Sequence, residues 1–424
     1  MKKFLDIIFL RSNNLSYISE NIKDLTQKTS ANKIFEAINS FTSESEIRYV
    51  GGCIRKIINK EKVDDIDLAT NLDPKQVCKA LQKNNINYFE SGIEHGTITA
   101  IVDNYKFEIT TLRKDIFTDG RHAKVEFSKD WKEDATRRDF TINSIYSDKE
   151  GNLFDPFEGK KDLENGHVKF IGDADQRIKE DFLRILRYLR FFLSYSKQSH
   201  NLEIIRSLKI NIGGISKLSK ERLIDELKKI TNLDTLEKLS NDKIISSLIL
   251  MIFPELKNIG IFSKLNSLNK KLLKENDFIF LLSLMIIDDA DNADYFLFKF
   301  NLSKKDKNRI KIIDNFYKKK INSKTFTKNN INKFFYYYGK KATLDILNYR
   351  IIKSNKIDKS LNELIKYYEN SLAPIMPVSA DLLMSKYSVP KGKQLGEKLK
   401  IIEEVWVNNN FKISDQEVKN IINN

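Results

Sequence analysis

The sequence predicts an α+β chain, a mixed head followed by an all-helical neck, body and tail, and three observations carry that expectation. From Asn32 to Ile145 helical stretches alternate with short β-branched runs: IRYVGG, DIDLAT, TITAIVD, KFEITTL and VEF. After Asp173 the apolar residues recur at three- and four-residue spacing, as in EDFLRILRYLRFFLSY and SKERLIDELKKI. Proline, which breaks helices, is sparse in that second part, with four in the residues after Asp173. At 424 residues the chain is too long for one ordinary core, and 41% hydrophobic content is enough to fold two or three domains.

Residues 1–31 are expected to be a helical extension. MKKFLDIIFLRSNN has a basic start and a short apolar run, but Asp6 and Arg11 interrupt it and no small-residue cleavage site follows. No window approaches 18 uncharged apolar residues, so no membrane association is expected. Residues 32–145 form the head, in which ITAIVDNYKFEITTLR reads as a hairpin turning at Asp103-Asn104 and lying beside DIDLAT. A connecting segment through GNLFDPFEGKKDL opens the neck, 146–230, where Ser219 is a natural helix cap, and 231–424 form the body and tail. In that last part NFYKKKINSKTFTKNNINKFFYYYGKK interleaves aromatics with lysines, which fits an RNA-binding surface or a core stripe with a solvated basic face. Cys53 and Cys78 are too few for a disulfide framework and lack CxxC spacing, which points to a reducing cytoplasm and no zinc site. A net charge of +15 points to a polyanionic partner, nucleic acid first, although the Lys, Asn and Ile bias of the whole chain offers a second source for it.

The chemistry is concentrated in VDDIDLAT. Side chains alternate along a strand, so Asp65 and Asp67 share a face while Asp64 points away. Two carboxylates this close repel unless a cation lies between them, and oxygen ligands suit a hard divalent ion, Mg2+. Upstream, RYVGGCIRK runs from a strand through Gly51-Gly52 into a helix carrying Arg55, a turn whose backbone N–H groups can approach a phosphate. Glu108 in KFEITT lies on the opposite face of its strand from Phe107 and Ile109, as a general base or as support for the paired acids. Further on, Asp181, Arg184, Arg187 and Arg190 recur every three residues along one side of an expected helix.

In this order, VGGCIRKIINKEKVDDIDLATN, HGTITAIVDNYKFEITTLRKD, DGRHAKVEF, EDATRRDFTINSIYSDKEGNLFDPFEGKKDL and IGDADQRIKEDFLRILRYLRFF resemble the signature blocks of the class II tRNA nucleotidyltransferase (CCA-adding enzyme) and bacterial poly(A) polymerase family. The resemblance continues through SKERLIDELKKI to MPVSADLLMSKYSVPKGKQLGEKLKIIEEVW. It implies a polymerase-β-like nucleotidyltransferase head, addition of cytidine and adenosine to tRNA 3′ ends from CTP and ATP, and Arg138 on the nucleotide phosphates. Asp139 is implied to lie near the sugar, or else to pair with an arginine and hold the neck. For Asp181 and Arg184 the chemistry agrees, since a carboxylate only accepts hydrogen bonds and a guanidinium only donates them. Cytosine and adenine each offer an amino donor beside a ring-nitrogen acceptor and match the pair. Guanine and uracil reverse that pattern, leaving polar groups unpaired at about 1–3 kcal/mol each. Arg187 and Arg190 are then placed for ribose or phosphates.

Three departures from the family pattern stand out. Lys56 replaces the usual acid of GGxVRD, Asn59 stands where a glycine is usual and is expected to take the left-handed conformation, and DPFEG carries Glu158 where glycine is common. None of His95, His122, His167 and His200 forms an HD pair, so a fused metal phosphohydrolase is not expected. The alternatives are a poly(A) polymerase or a partial CC- or A-adding enzyme, and, in another class, a non-catalytic RNA-binding protein.

Overall fold

The structure, a computed structural model, describes residues 2–118, 123–288, 290–319, 321, 325–356 and 358–423. His122 lies outside them. The chain divides into two compact units, Met1–Ile230 and Thr231–Asn424.

The first unit begins with α1 (Lys2–Lys28) and α2 (Asn32–Asn39), then β1 (Ile47–Val50), α3 (Gly52–Ile58), β2 (Ile66–Thr70) and α4 (Pro74–Lys83). The start of α4 is fixed locally: the Asp73 carboxylate accepts from the Gln76 N–H, the Gln76 side chain accepts from the Asp73 N–H, and Pro74 fills the first turn. Strands β3 (Asn87–Gly92), β4 (Thr97–Val102) and β5 (Tyr105–Thr111) follow. Asp103 and Asn104 both adopt positive φ, 46° and 71°, between Val102 and its partner Tyr105, as a two-residue hairpin of the expected kind requires. Strand β5 then lies parallel to β2, with Glu108 opposite Asp67. A separate ribbon of β6 (Arg113–Thr118) and β7 (Ala123–Phe127) precedes α5 (Trp131–Arg137).

The sheet runs past residue 145, where the head was expected to close. Strands β8 (Tyr146–Ser147) and β9 (Leu153–Phe154) add to the far side of β1, giving the order β3-β4-β5-β2-β1-β8-β9. These short strands were hidden because each has two residues, too few to show alternation. Tyr146 is fully buried with Val50, Ala69, Leu112 and Ala135, and Trp131, Phe154 and Phe157 pack against that cluster.

The neck comprises α6 (Gly159–Asn165), α7 (Ala174–Glu180), α8 (Leu183–Tyr195), α9 (Leu202–Asn211) and α10 (Lys220–Ile230). Phe140, Phe170, Tyr188 and Phe191 form its aromatic core, with Phe140 and Phe170 centroids 4.7 Å apart and Phe140 and Phe191 5.3 Å apart. The single helix expected through EDFLRILRYLR is in fact two. Asp181 is extended (φ −151°, ψ 106°), and its carboxylate caps the second helix by accepting the Leu183 N–H at 3.0 Å.

The second unit is helical from Leu233 to Asn423. Its long helix Lys328–Ser354 is kinked at Gly339 (φ 78°), with Phe335 buried and Tyr337 and Tyr338 exposed, so the aromatic stripe is divided between core and surface. Arg309 bridges Asp277 and the buried Asp345 inside this unit. Among the described residues no helix is long and apolar enough to cross a membrane.

Two departures from the family pattern have local structural explanations. Asn59 is not left-handed (φ −87°); the next residue, Lys60, takes that conformation instead (φ 59°). Glu158 does occupy it, at φ 55°, just before α6, whose first N–H groups are capped by Asp155. Its neighbour Gly159 has no room for a side chain, because a Cβ there would stand 2.0 Å from the Thr141 carbonyl oxygen. Adjacent substitutions should therefore have opposite signs in denaturant unfolding: Glu158→Gly gains about 0.5–1 kcal/mol by relieving the left-handed strain, and Gly159→Ala loses about 3 kcal/mol or more.

Candidate active site

Strand β1 delivers the chain to Gly51, which turns with φ 69° and ψ −116° into α3. Glycine is favoured there because φ is positive, and the position of its missing Cβ lies 3.4 Å from Arg138 Nη1. Gly52 sits directly over the metal-binding candidate: its Cβ would be 3.9 Å from Asp67 Oδ2 and equally far from Arg55 Nη2. The turn, Asp67 and Arg55 are thus one cluster, although Asp67 lies sixteen positions after Gly51 in the chain.

Asp67 lies on β2 and Asp65 one residue before that strand, exposed to solvent. Burial raises the Asp67 carboxyl above the usual range, the negative charges of Glu108 and Asp65 raise it further, and Arg138 and Arg55 oppose them. That unrelieved repulsion among oxygen donors suits a hard divalent cation. Among the described residues no three His, Cys, Asp or Glu side chains are gathered closely enough to hold a metal by themselves. Asp65 and Asp67 would offer carboxylate oxygens to a divalent cation without forming a closed protein cage. Asp64 is engaged elsewhere: it accepts a 2.8 Å hydrogen bond from Lys56, which lowers its carboxyl pKa. The basic residue at position 56 consequently has a partner inside this same loop.

A cavity of about 390 Å³ opens beside the Gly51 turn. It brings together every site residue expected from sequence except Asp65 and Glu108, and adds Arg137, Asn143 and Phe191. Its floor is α8. Arg184 is only 9% exposed, so the arginine row at 184, 187 and 190 is the wall of a cavity and not a solvated face.

Each of these cations is held by an acceptor. Asp139 is buried and takes Arg187 Nε at 2.6 Å on one oxygen, and Asn143 Nδ2 and the Phe140 N–H, each at 2.9 Å, on the other. Burial alone would raise its pKa, but Arg187 and these donors hold it well below the carboxylate range. Asp139 thus makes the arginine contact that was one of its two expected roles. Arg184 Nη1 bonds Glu180 at 2.7 Å and the Arg177 carbonyl at 2.9 Å. Arg190 bonds the buried Glu226 of α10, and Asp181 accepts Arg222 of the same helix at 2.7 Å. Arg55 bonds Asn143 and lies over Phe191 at 4.7 Å, with Arg190 on that ring at 4.1 Å and Arg187 at 5.4 Å. Phe191, Asn143, Glu180, Arg222 and Glu226 were not singled out from sequence. Phe191 had a usable signal, since it follows Arg190 and lies four residues from Arg187; the distant α10 partners had none.

The chain resembles known proteins in the same regions. Residues 47–169 match the family model described as the Poly A polymerase head domain. The human mitochondrial CCA tRNA nucleotidyltransferase 1 is 43% identical over 234 residues, 54% of this chain and 51% of that protein; the chain therefore spans about half the length of that relative. A Staphylococcus saprophyticus CCA-adding enzyme is 29% identical over 383 residues, 86% of this chain and 91% of the relative. Among solved structures, the Bacillus stearothermophilus CCA-adding enzyme in complex with CTP shares the fold with a TM-score of 0.70 at 21% identity, covering 89% of this chain and 92% of that one. The Thermotoga maritima CCA-adding enzyme complexed with tRNA has a TM-score of 0.57 at 18% identity, covering 92% and 94%.

Asp134 gives a pH test of the site's packing. Burial would raise its carboxyl, but Arg138, Arg137 and Tyr146 bring it from 3.8 down to about 2. A depressed folded-state value stabilises the fold above the unfolded value and loses that contribution as pH falls through the folded one. The stability difference between the native chain and Asp134→Asn, measured by urea unfolding, should be constant above about pH 5 and shrink by about 2 kcal/mol between pH 4 and 2. With its head, neck and cavity arranged in this way, the chain carries a Poly A polymerase head domain over residues 47–169 and shares its fold with solved CCA-adding enzymes.

Proposed function

We propose that this chain is a Mg2+-dependent, template-independent nucleotidyltransferase that adds CCA to tRNA 3′ ends from CTP and ATP and releases diphosphate. The observation that carries the reading is the single cavity in which the Gly51 turn, Asp67 and Arg138 of the head meet Asp181 and Arg184 of the neck. The CCA-adding names of its relatives and structural neighbours support it.

In this reading the triphosphate lies against the Gly51 turn, with Arg138 and Arg55 supplying positive charge. Asp65 and Asp67 would hold the cation, which would supply neutralisation of the phosphate charge. Glu108, in register with Asp67, stands where a proton from the RNA 3′-hydroxyl can be accepted or an acid partner steadied. Asp181 and Arg184 read the base edge. Both are held before a base arrives, Asp181 by Arg222 and Arg184 by Glu180, so the readers are oriented in advance. Two buried free cysteines accord with a reducing cytoplasm as the working compartment.

Incubating the protein with tRNA that lacks its 3′ end, with CTP and ATP singly and together, and sequencing the products tests the reading. CTP alone should give CC ends and both nucleotides CCA ends. A long adenosine tail would mark a poly(A) polymerase, and binding without addition a non-catalytic RNA-binding protein. Asp65→Ala and Asp67→Ala should each lower addition at least about 100-fold; near-native rates would sink the metal assignment. Arg184→Ala should lower discrimination against UTP and GTP by about tenfold, with the metal dependence unchanged. Unaltered selectivity would remove Asp181 and Arg184 as the base readers.

A further inference from the structure

We propose that Tyr146 is a positioning residue that sets which edge of Arg138 is presented to the nucleotide phosphates. The inference rests on the proposed function above and concerns the triphosphate end of that site.

Arg138 follows the last residue of α5, where the backbone becomes extended (φ −68°, ψ 160°) and releases its side chain toward the Gly51 turn. Its guanidinium is anchored along one edge. Nε donates to the Tyr146 phenol oxygen at 2.9 Å, and Nε and Nη2 approach Asp134 Oδ2 at 3.3 and 3.2 Å. The group also lies over the Tyr146 ring, 5.1 Å from its centroid. Among the described residues Nη1 has no hydrogen-bond partner, and it is the atom that stands 3.4 Å from where a Cβ of Gly51 would be. The unanchored edge therefore points at the turn.

Asp134 cannot fix that orientation by itself. Its Oδ1 is taken by Arg137, Nε at 2.8 Å and Nη2 at 2.7 Å, and only Oδ2 faces Arg138. One oxygen can be met by several edges of a planar guanidinium. The phenol adds a second acceptor at a fixed place: its O–H donates to Asp134 Oδ2 at 2.6 Å while its oxygen accepts Arg138 Nε, and with both acceptors on that edge Nη1 faces outward. The ring is rigid because it is fully buried, edge-on to Trp131 at 5.5 Å and against Phe154 at 5.9 Å. It is also tied to the turn, since Tyr146 of β8 pairs with Val50 of β1, the residue just before Gly51. A single strand pair thus places both the phosphate turn and the group that aims Arg138 at it.

Tyr146→Phe keeps the ring and deletes the phenol oxygen. In the full chain with tRNA, the expected result is a KM for CTP and ATP about tenfold higher, with kcat within about twofold of native. Affinity for CTP should fall by the same factor while affinity for cytidine, which lacks phosphates, stays unchanged. In an Arg138→Gln background the Tyr146→Phe change should add nothing further. Unchanged KM values, an equal loss for cytidine, or a full additional loss in the Arg138→Gln background would each overturn the proposal. A purely packing role would lower the unfolding temperature and leave the CTP-to-cytidine ratio alone, which also overturns it. If the native chain binds CTP but adds no nucleotide to tRNA, the proposed function falls, while the CTP and cytidine comparison still decides the role of Tyr146.

Discussion

Six guanidinium groups face one small cavity, and their mutual repulsion is the constraint around which the first unit is built. Acceptors from several elements answer it: Asp134 for Arg137 and Arg138, Asn143 for Arg55, Glu180 for Arg184, Asp139 for Arg187 and Glu226 for Arg190. Asp134, Asp139 and Glu226 are buried, and a buried carboxylate without its arginine would be strongly destabilising, so each pair fixes its two elements together. Phe191 completes the arrangement by offering one ring face or edge to three of the arginines, an apolar hub that costs no additional charge. The result is a site whose positive charge exists before any phosphate arrives, which is what pre-organised electrostatic stabilisation requires.

The acidic side of the site follows from the sheet. Parallel pairing of β2 with β5 puts Asp67 and Glu108 side by side, and the strand-to-helix turn lays Gly52 over the same carboxylate. Negative oxygens lie on the strand side and positive nitrogens on the helix side, with the glycine turn between. Under the proposed function, a phosphate chain with its cation would match that polarity.

Much of this was legible in the sequence because local chemistry dictated it. The hairpin at Asp103-Asn104 needed two residues tolerant of positive φ; in VDDIDLAT Asp64 is set apart from Asp67 as expected, but by its pairing with Lys56, since Asp64 and Asp65 precede β2. The arginines at 184, 187 and 190 shared a face because helices repeat every 3.6 residues. What failed had causes that period and propensity do not carry. The break at Asp181 depends on its carboxylate capping the following helix, and the two-residue strands β8 and β9 depend on an edge of β1 already formed. Glu226 and Arg222 look like ordinary solvated residues of an amphipathic helix until α8 is packed against them. Lys60, not Asn59, takes the left-handed turn, a one-residue shift that propensity cannot resolve.

The pairs from α8 to α10 set an order of assembly. Arg190 finds a carboxylate at Glu226 and Asp181 a guanidinium at Arg222, thirty-six and forty-one residues later in the chain. A growing chain displays the carboxylates of β2 and the glycine turn well before it can settle the arginine row of α8. During synthesis the head therefore exists as a fold before it exists as a site, and competence arrives when α10 closes on the neck.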